Sequence, residues 1–258
     1  MDAAAGAEVL VEHQGPVSVI TINRPAQRNA VNAATAALIA QALDDLDRNP
    51  DLLVGVITGA GGNFCAGMDL KAFARGESTA VAGRGFAGIV EAPPAKPLIA
   101  AVEGWALGGG FEIALACDLV VAARSARFGL PEVSRGLAAR GGGCFRLPRR
   151  LPYALAMEAI LTGQPIDSAR AERFGLVNQV TEDGAALSSA IELANSIAVN
   201  APLAVQASKR IVIESADWAR ADAFERQRVQ LASVFASEDA QEGAAAFAER
   251  RPPVWRGR

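Results

Sequence analysis

Hydrophobic positions along this chain follow two rhythms, short unbroken runs in the first half and helical spacing in the last third. Val9-Leu-Val-Glu-His13 and Val17-Ser-Val-Ile-Thr-Ile22, separated by Gln14-Gly15-Pro16, carry the β-branched content and turn residues of two tightly joined strands. After Asn23-Arg24-Pro25, an Ala-rich segment with Asn32 as N-cap repeats Leu38, Leu43 and Leu46 near helical spacing and ends before Pro50. Leu52 to Thr58, Leu98 to Val102 and Asp118 to Ala122 are short continuous apolar runs, each suited to a strand buried on both faces. Between them come a glycine-rich loop from Gly59 to Gly67, a helical stretch around Ile89, and Gly104 to Glu112 opening an apolar helix that stops near Cys117. Strand, glycine-rich turn and helix alternate, which predicts an α/β fold of parallel crossover units with helices over the sheet. Beyond Leu151 only Leu176 to Val180 reads as strand, and helical patterns run from Ala185 to Phe247. The break at Asn200-Ala201-Pro202 divides a core of residues 1–200 from a helical C-terminal region, 201–258.

Composition changes this picture mainly by exclusion. With 258 residues, 51% hydrophobic and 21% charged, the chain can bury one large core. Net charge is −3 and the basic residues are scattered, so no stripe exists to hold nucleic acid. No apolar run approaches the ~20 residues of a membrane span, and Met1 to Glu8 lacks the basic-then-apolar pattern of an export leader. Cys65, Cys117 and Cys144 are odd in number and far apart, which reads as reduced thiols in a cytoplasmic protein. The single histidine, His13, stands at a strand end, so a multi-histidine metal centre has no material and a Ser-His-Asp site would have to be built around it.

The residues left for chemistry are glycines and carboxylates. Gly108, Gly109 and Gly110 precede a helix, where N–H groups without Cβ cover form a donor site for developing negative charge. Glu112 falls in the first turn of that helix, where it either serves catalysis or complements the helix dipole. Glu132 follows Phe128-Gly-Leu-Pro131, and proline there places the carboxylate at a helix start. Together the two glutamates sit on segments flanking the Asp118 to Ala122 strand, a pairing that acid–base chemistry needs. Gly59-Ala-Gly-Gly-Asn-Phe64 begins like a dinucleotide fingerprint but has Phe64 at the third glycine position, and no Gly-Lys-Ser or Gly-Lys-Thr occurs.

In order, Thr21-Ile-Asn-Arg-Pro25 with Arg28-Asn-Ala30, Ile57-Thr-Gly59 with Phe64-Cys-Ala-Gly-Met-Asp-Leu70, Lys96 to Gly104, Ala106-Leu-Gly-Gly-Gly-Phe-Glu112, Phe128-Gly-Leu-Pro-Glu132 and Leu161-Thr-Gly163 resemble the crotonase (enoyl-CoA hydratase/isomerase) superfamily over nearly the whole chain. The run from Ser237 to Arg258, with Phe86-Ala-Gly88 and Arg146-Leu-Pro148, is similar to the carnitinyl-CoA dehydratase branch. The resemblance implies a crotonase-like spiral of ββα turns with a helical C-terminal trimerisation region, and a homotrimer or dimer of trimers. It implies an acyl-CoA substrate, an oxyanion hole from the N–H groups of Met68 and Gly109, and Glu112 and Glu132 as the paired carboxylates of a hydratase or dehydratase. Substrate and CoA contacts would fall to Arg28, Ala30, Ala66, Asp69, Leu70, Gly108 and Gly110, with no cofactor beyond the CoA of the substrate. Arg24, Arg28 and Lys71 either meet CoA phosphates or are plain surface cations. Arg140, just before Gly141-Gly-Gly143, departs from the hydratase pattern and either binds a carboxylate on the acyl chain or points to solvent. An isomerase needing one carboxylate, another acyl-CoA reaction on the same scaffold, and a non-catalytic acyl-CoA binder are the alternatives.

Overall fold

The computed structural model describes residues 6–258. Its main sheet runs in the order β1 (Val9–Gln14), β2 (Val17–Ile22), β3 (Val54–Gly59), β6 (Leu98–Val102), β8 (Leu119–Ala123) and β11 (Gln179–Thr181). Only the β1–β2 pair is antiparallel; every later pair is parallel. Alternate residues of these strands feed different layers, because side chains point to opposite faces in turn. Ile20, Ile22, Ile57, Ala100 and Val102 enter the main core, whereas Val17, Val19, Val56, Ile99 and Val121 meet Ala190 and Ala194 of α7 (Ala186–Ala198). Both faces are therefore dry along β3, β6 and β8, whose sequences run apolar without polar alternation, while the edge strands β1 and β11 are partly exposed.

Helix α1 (Ala33–Arg48) starts where the Asn32 side chain accepts from Thr35 N–H at 2.8 Å. Its buried stripe is Ala36, Ile39, Leu43 and Leu46. Leu38, expected on that stripe, is 38% exposed, since a five-residue step to Leu43 rotates it off the face that Ile39 occupies. The expected helix around Ile89 is absent. In its place a hairpin of β4 (Ala80–Val81) and β5 (Gly85–Phe86) leads into turns. Gly83, Gly85, Ala87 and Gly88 all have positive φ there, which no α-helix accommodates. The strand expected over Leu176 to Val180 is displaced to β11, and Leu176 and Val177 are instead buried loop residues of the core.

A second sheet, with no counterpart in the hydrophobic pattern, is built from β10 (Ile166–Asp167), β9 (Arg127–Gly129) and β7 (Trp105–Leu107), the last two parallel. Helix α2 (Leu70–Ala74) follows the first glycine-rich loop, and α3 (Gly109–Ala116) follows β7. Helices α4 (Gly143–Arg150), α5 (Tyr153–Thr162) and α6 (Ser168–Arg173) complete the central portion. The chain then leaves α7 through Pro202 into α8 (Pro202–Glu214), α9 (Ala223–Phe235) and α10 (Glu238–Glu249). Lys209 anchors α8 at the amino ends of β6 and β8 by donating to Pro94 O, Lys96 O and Asp118 Oδ2.

The loops at the carboxyl ends of β2 and β3 are tied together by Asn29. This buried residue takes a left-handed conformation (φ 58°), donates from Nδ2 to Ala60 O and Asn63 O at 2.8 and 2.7 Å, and accepts Arg24 N–H at 2.9 Å. Asparagine tolerates that conformation better than alanine. Asn29→Ala strands two part-buried carbonyls and adds backbone strain, so urea unfolding is expected to show a loss of about 2–4 kcal/mol with unchanged slope. A loss under about 0.5 kcal/mol would contradict the hub role.

Candidate active site

Parallel pairing of β7 with β9 aligns the two segments that carry the glutamates. Leu107 lies opposite Gly129, and Gly108 N–H donates to Gly129 O at 2.8 Å. Three residues beyond each of those glycines lie Phe111 and Glu132, so Glu112, in the first turn of α3, and Glu132, in a 3-10 turn over Pro131–Arg135, leave the sheet at the same end. It is this small second sheet, and not the Asp118 to Ala122 strand alone, that brings the carboxylates together.

The two glycine-rich loops meet backbone to backbone. Cys65 N–H donates to Trp105 O and Leu107 N–H to Cys65 O, both at 3.0 Å, forming a bridge between Cys65 and Ala106. A Cβ on Gly110 would stand 2.0 Å from Cys65 O, and one on Gly67 would stand 2.8 Å from Leu107 O and 3.0 Å from Gly109 N. No side chain fits at either position. On its other side the first loop is held by Val31 N–H to Gly67 O and Asp69 N–H to Val31 O, both 2.8 Å. These bonds skip Met68. Among the described residues, neither Met68 N–H nor Gly109 N–H has an acceptor, so two donors on adjoining loops remain free.

Glu112 is 3% exposed, and its Oε1 accepts Gly143 N–H at 2.9 Å. Burial raises its carboxyl above the usual range, opposed by the Gly143 and Gly141 N–H groups and by the charges of Arg146 and Arg140. Glu132 is half-buried, with Oε2 enclosed and without a hydrogen-bond partner among the described residues. Its carboxyl is raised chiefly by burial; its own N–H opposes the rise, and the charge of Glu112 adds to it. A buried carboxylate oxygen without a protein partner is unusual, and a raised carboxyl in a cleft makes Glu132 a functional candidate.

A cleft of about 630 Å³ spans this region. Of the residues singled out in the sequence, Ala30, Ala66, Met68, Asp69, Leu70, Gly108, Gly109 and Glu132 line it. Glu112 and Gly110 lie outside that lining, Glu112 under the Gly141–Gly143 turn and Gly110 against Cys65. Arg28 is exposed outside the lining, and its carbonyl accepts Ala66 N–H at 2.9 Å. Arg140 is also exposed and outside the lining, yet near enough for its charge to act on Glu112.

The charged side chains along the cleft divide into occupied and free. Arg24 donates to Asp69 Oδ2 at 3.0 Å and to Ala30 O, and pairs with Glu8 at 3.3 Å. Asp69 also caps α2, accepting from Lys71 and Ala72 N–H. Burial pushes the Asp69 carboxyl up, but those bonds and Arg24 more than offset it and leave it lowered. Lys71 and Arg135 line the cleft with exposed side chains. Cys65 lies beneath the loops with its thiol pushed up to about 12 by burial; it accepts Gly67 N–H and is a packing group, not a nucleophile. Two residues that build the site, Asn29 and Arg146, appear in the sequence only within the motifs Arg28-Asn-Ala30 and Arg146-Leu-Pro148, without a role; an asparagine between Pro25 and Ala30 is a turn signal for the first, whereas nothing local gives the second its partners.

Comparison with known proteins agrees with this geometry. A family model described as enoyl-CoA hydratase/isomerase matches residues 12–258. The enoyl-CoA hydratase EchA19 of Mycobacterium tuberculosis is 43% identical over 98% of this chain and 98% of its own length. The carnitinyl-CoA dehydratase of Salmonella enteritidis is 42% identical over 95% and 96% of the respective chains. Among solved structures, the enoyl-CoA hydratase EchA1 from Mycobacterium marinum superposes with a TM-score of 0.97 at 58% identity, covering 98% of this chain and 100% of that one. The carnitinyl-CoA hydratase from Mycobacterium avium gives 0.79 at 49% identity with the same coverage. With the family model matching residues 12–258 and the fold agreeing over nearly the full length, this chain belongs to the enoyl-CoA hydratase/isomerase (crotonase) family.

Proposed function

We propose that this protein is an enoyl-CoA hydratase and 3-hydroxyacyl-CoA dehydratase, with carnitinyl-CoA or a related 3-hydroxyacyl thioester as a substrate. The observation that carries the reading is the convergence of two raised carboxyls, Glu112 and Glu132, beside two N–H groups with no acceptor among the described residues. Addition of water to the β-carbon drives negative charge onto the thioester oxygen, where Met68 and Gly109 N–H serve as donors. Each such donor is typically worth about 2.7–4 kcal/mol. One glutamate, ionised, takes a proton from water as oxygen bonds the β-carbon; the other, protonated, delivers a proton to the α-carbon. Elimination reverses both transfers. Two acids of like sign at short range favour this split of protonation, and they titrate as a pair.

No group beyond the CoA of the substrate enters these steps. Lys71 and Arg135 line the cleft without an ion pair among the described residues and are suited to CoA phosphates, whereas Arg24 is committed to Asp69 and Glu8. A homotrimer or dimer of trimers belongs to the same reading. Phe224, Val229 and Phe235 stand 73%, 73% and 77% exposed on α9, more apolar surface than a lone chain usually leaves open. Among the described residues no helix is long and apolar enough to cross a membrane. A cytoplasmic site of action fits the free thiols.

Hydration of crotonyl-CoA and crotonobetainyl-CoA by the wild-type protein, Glu112→Gln and Glu132→Gln tests the assignment. Wild type is expected to turn over at least one of the two, and each variant to lose about 100-fold or more in kcat. Undiminished rates in the variants would remove the carboxylates from the mechanism, and double-bond migration without hydration would assign an isomerase.

Stability offers an independent check on the buried acid. A carboxyl raised by folding holds its proton in the native state after the unfolded chain has lost it, so native stability falls as pH rises past the ordinary carboxylate value. Glu112→Gln removes this loss. The Tm of the variant relative to wild type is expected to climb as pH rises past the ordinary carboxylate value; a constant difference would show that Glu112 ionises as freely folded as unfolded.

A further inference from the structure

Arg146, on the second turn of α4, is half-buried and makes no ion pair with any described residue. Its guanidinium instead donates to two backbone carbonyls from distant parts of the chain: Nη1 to Gly141 O at 3.1 Å and Nη2 to Val90 O at 2.6 Å. Gly141 begins the Gly141–Gly143 turn, whose last N–H holds the Glu112 carboxylate. That turn is closed around the side chain, since a Cβ on Gly142 would meet Arg146 Nη1 at 2.3 Å and one on Gly141 would meet Glu112 Oε2 at 2.6 Å. Val90 ends a segment whose turn places the Phe86 ring against Gly109, where a Cβ would stand 2.4 Å from Cε1. Ala87 within it is fully buried at φ 55°, a strain that persists only where neighbours over-determine the backbone.

We propose that Arg146 is a positioning residue for the reaction, a single guanidinium that fixes the Glu112 carboxylate and the Gly109 N–H in one frame by binding the turn that holds the first to the segment that backs the second. This rests on the hydratase reading for its kinetic consequence but not for its geometry. Arginine suits the task because its planar fork reaches both carbonyls at once, which a lysine ammonium on a flexible stem does not do as well. The charged and titratable groups facing Glu112 are Glu132 from the 3-10 turn, Arg140 from the loop before Gly141, and Cys144 and Arg146 from α4. Of these, Arg146 is the cation hydrogen-bonded to the carboxylate's own turn, and its charge favours the ionised form of Glu112.

The test compares Arg146→Gln, Arg146→Lys and, as a control, Arg149→Gln, which changes an exposed neighbour on the same helix. Steady-state hydration of crotonyl-CoA across pH is measured together with a carbon-13 NMR titration of the Glu112 carboxyl. Arg146→Gln is expected to lose about 10- to 100-fold in kcat with KM changed less than about threefold, because misplaced groups cost rate more than binding. It is also expected to move the Glu112 titration to higher pH. Arg146→Lys keeps the charge, so it is expected to restore the titration while recovering only part of kcat. Arg149→Gln is expected to match wild type in both. Unchanged kcat and titration in Arg146→Gln would overturn the proposal, as would full kcat recovery in Arg146→Lys. If Arg146→Gln does not fold, the lysine variant alone decides: intact titration with lowered kcat supports positioning, and wild-type kcat refutes it. A wild-type protein inactive on crotonyl-CoA would sink the hydratase reading for that substrate, and the NMR titration would still decide whether Arg146 sets the Glu112 carboxylate.

Discussion

Everything at this site depends on two stretches of backbone lying closer than any side chain permits. Gly67 approaches Leu107 O and Gly109 N, and Gly110 approaches Cys65 O, at separations that a methyl group would abolish. Because the loops are that close, their hydrogen bonds are exchanged at Cys65, Trp105 and Leu107, and the N–H groups of Met68 and Gly109 are left over. A helix start leaves N–H groups without partners in any protein. In this fold a second loop brings another such donor beside it. On the proposed hydratase reading each donor is preorganised, so charge developing on an oxygen between them would meet dipoles already in place.

Around that contact the fold gives up stability for the carboxylates. Glu112 is nearly enclosed and Glu132 has an oxygen with no partner among the described residues, and both are raised mainly by desolvation. Leaving a buried polar group unsatisfied typically costs about 1–3 kcal/mol. The surroundings offset this with fixed backbone donors: Gly143 N–H on Glu112, itself held through a turn that Arg146 braces. Asn29 and the Arg24–Asp69 pair do the same for the first loop, holding it by bonds that face away from Met68. Met68 and the start of the Gly141–Gly143 turn lie on loops, so these bonds are what hold a site made largely of main-chain atoms in its geometry.

Much of this is legible in the sequence because the responsible signals are local. Continuous apolar runs predict the parallel strands β3, β6 and β8, Asn32 predicts the start of α1, and the glycine clusters predict where the backbone must be bare. Glu112 and Glu132 stand out by their places at helix starts. The rest depends on pairings that no short window holds. Strands of two or three residues, β7, β9 and β10, have too few positions for a period, yet the β7–β9 register is what aligns the glutamates. The helix expected near Ile89 is disfavoured by Gly83, Gly85 and Gly88, and positive φ at Gly85, Ala87 and Gly88 rules it out as the chain turns to place Phe86 against Gly109. Arg146 resembles any basic helix residue, and its two carbonyl partners lie 5 and 56 positions away.

The most direct measurement is the vibrational spectrum of an isotope-labelled thioester carbonyl bound to the Glu112→Gln protein, which retains both loops and turns over slowly. Two free N–H donors aimed at one oxygen polarise the bond, so the carbonyl stretch is expected to move to lower frequency than in free acyl-CoA. An unshifted band in the saturated complex would mean that the Met68 and Gly109 amides do not meet the substrate oxygen, and the preorganised-donor mechanism would be wrong for this protein.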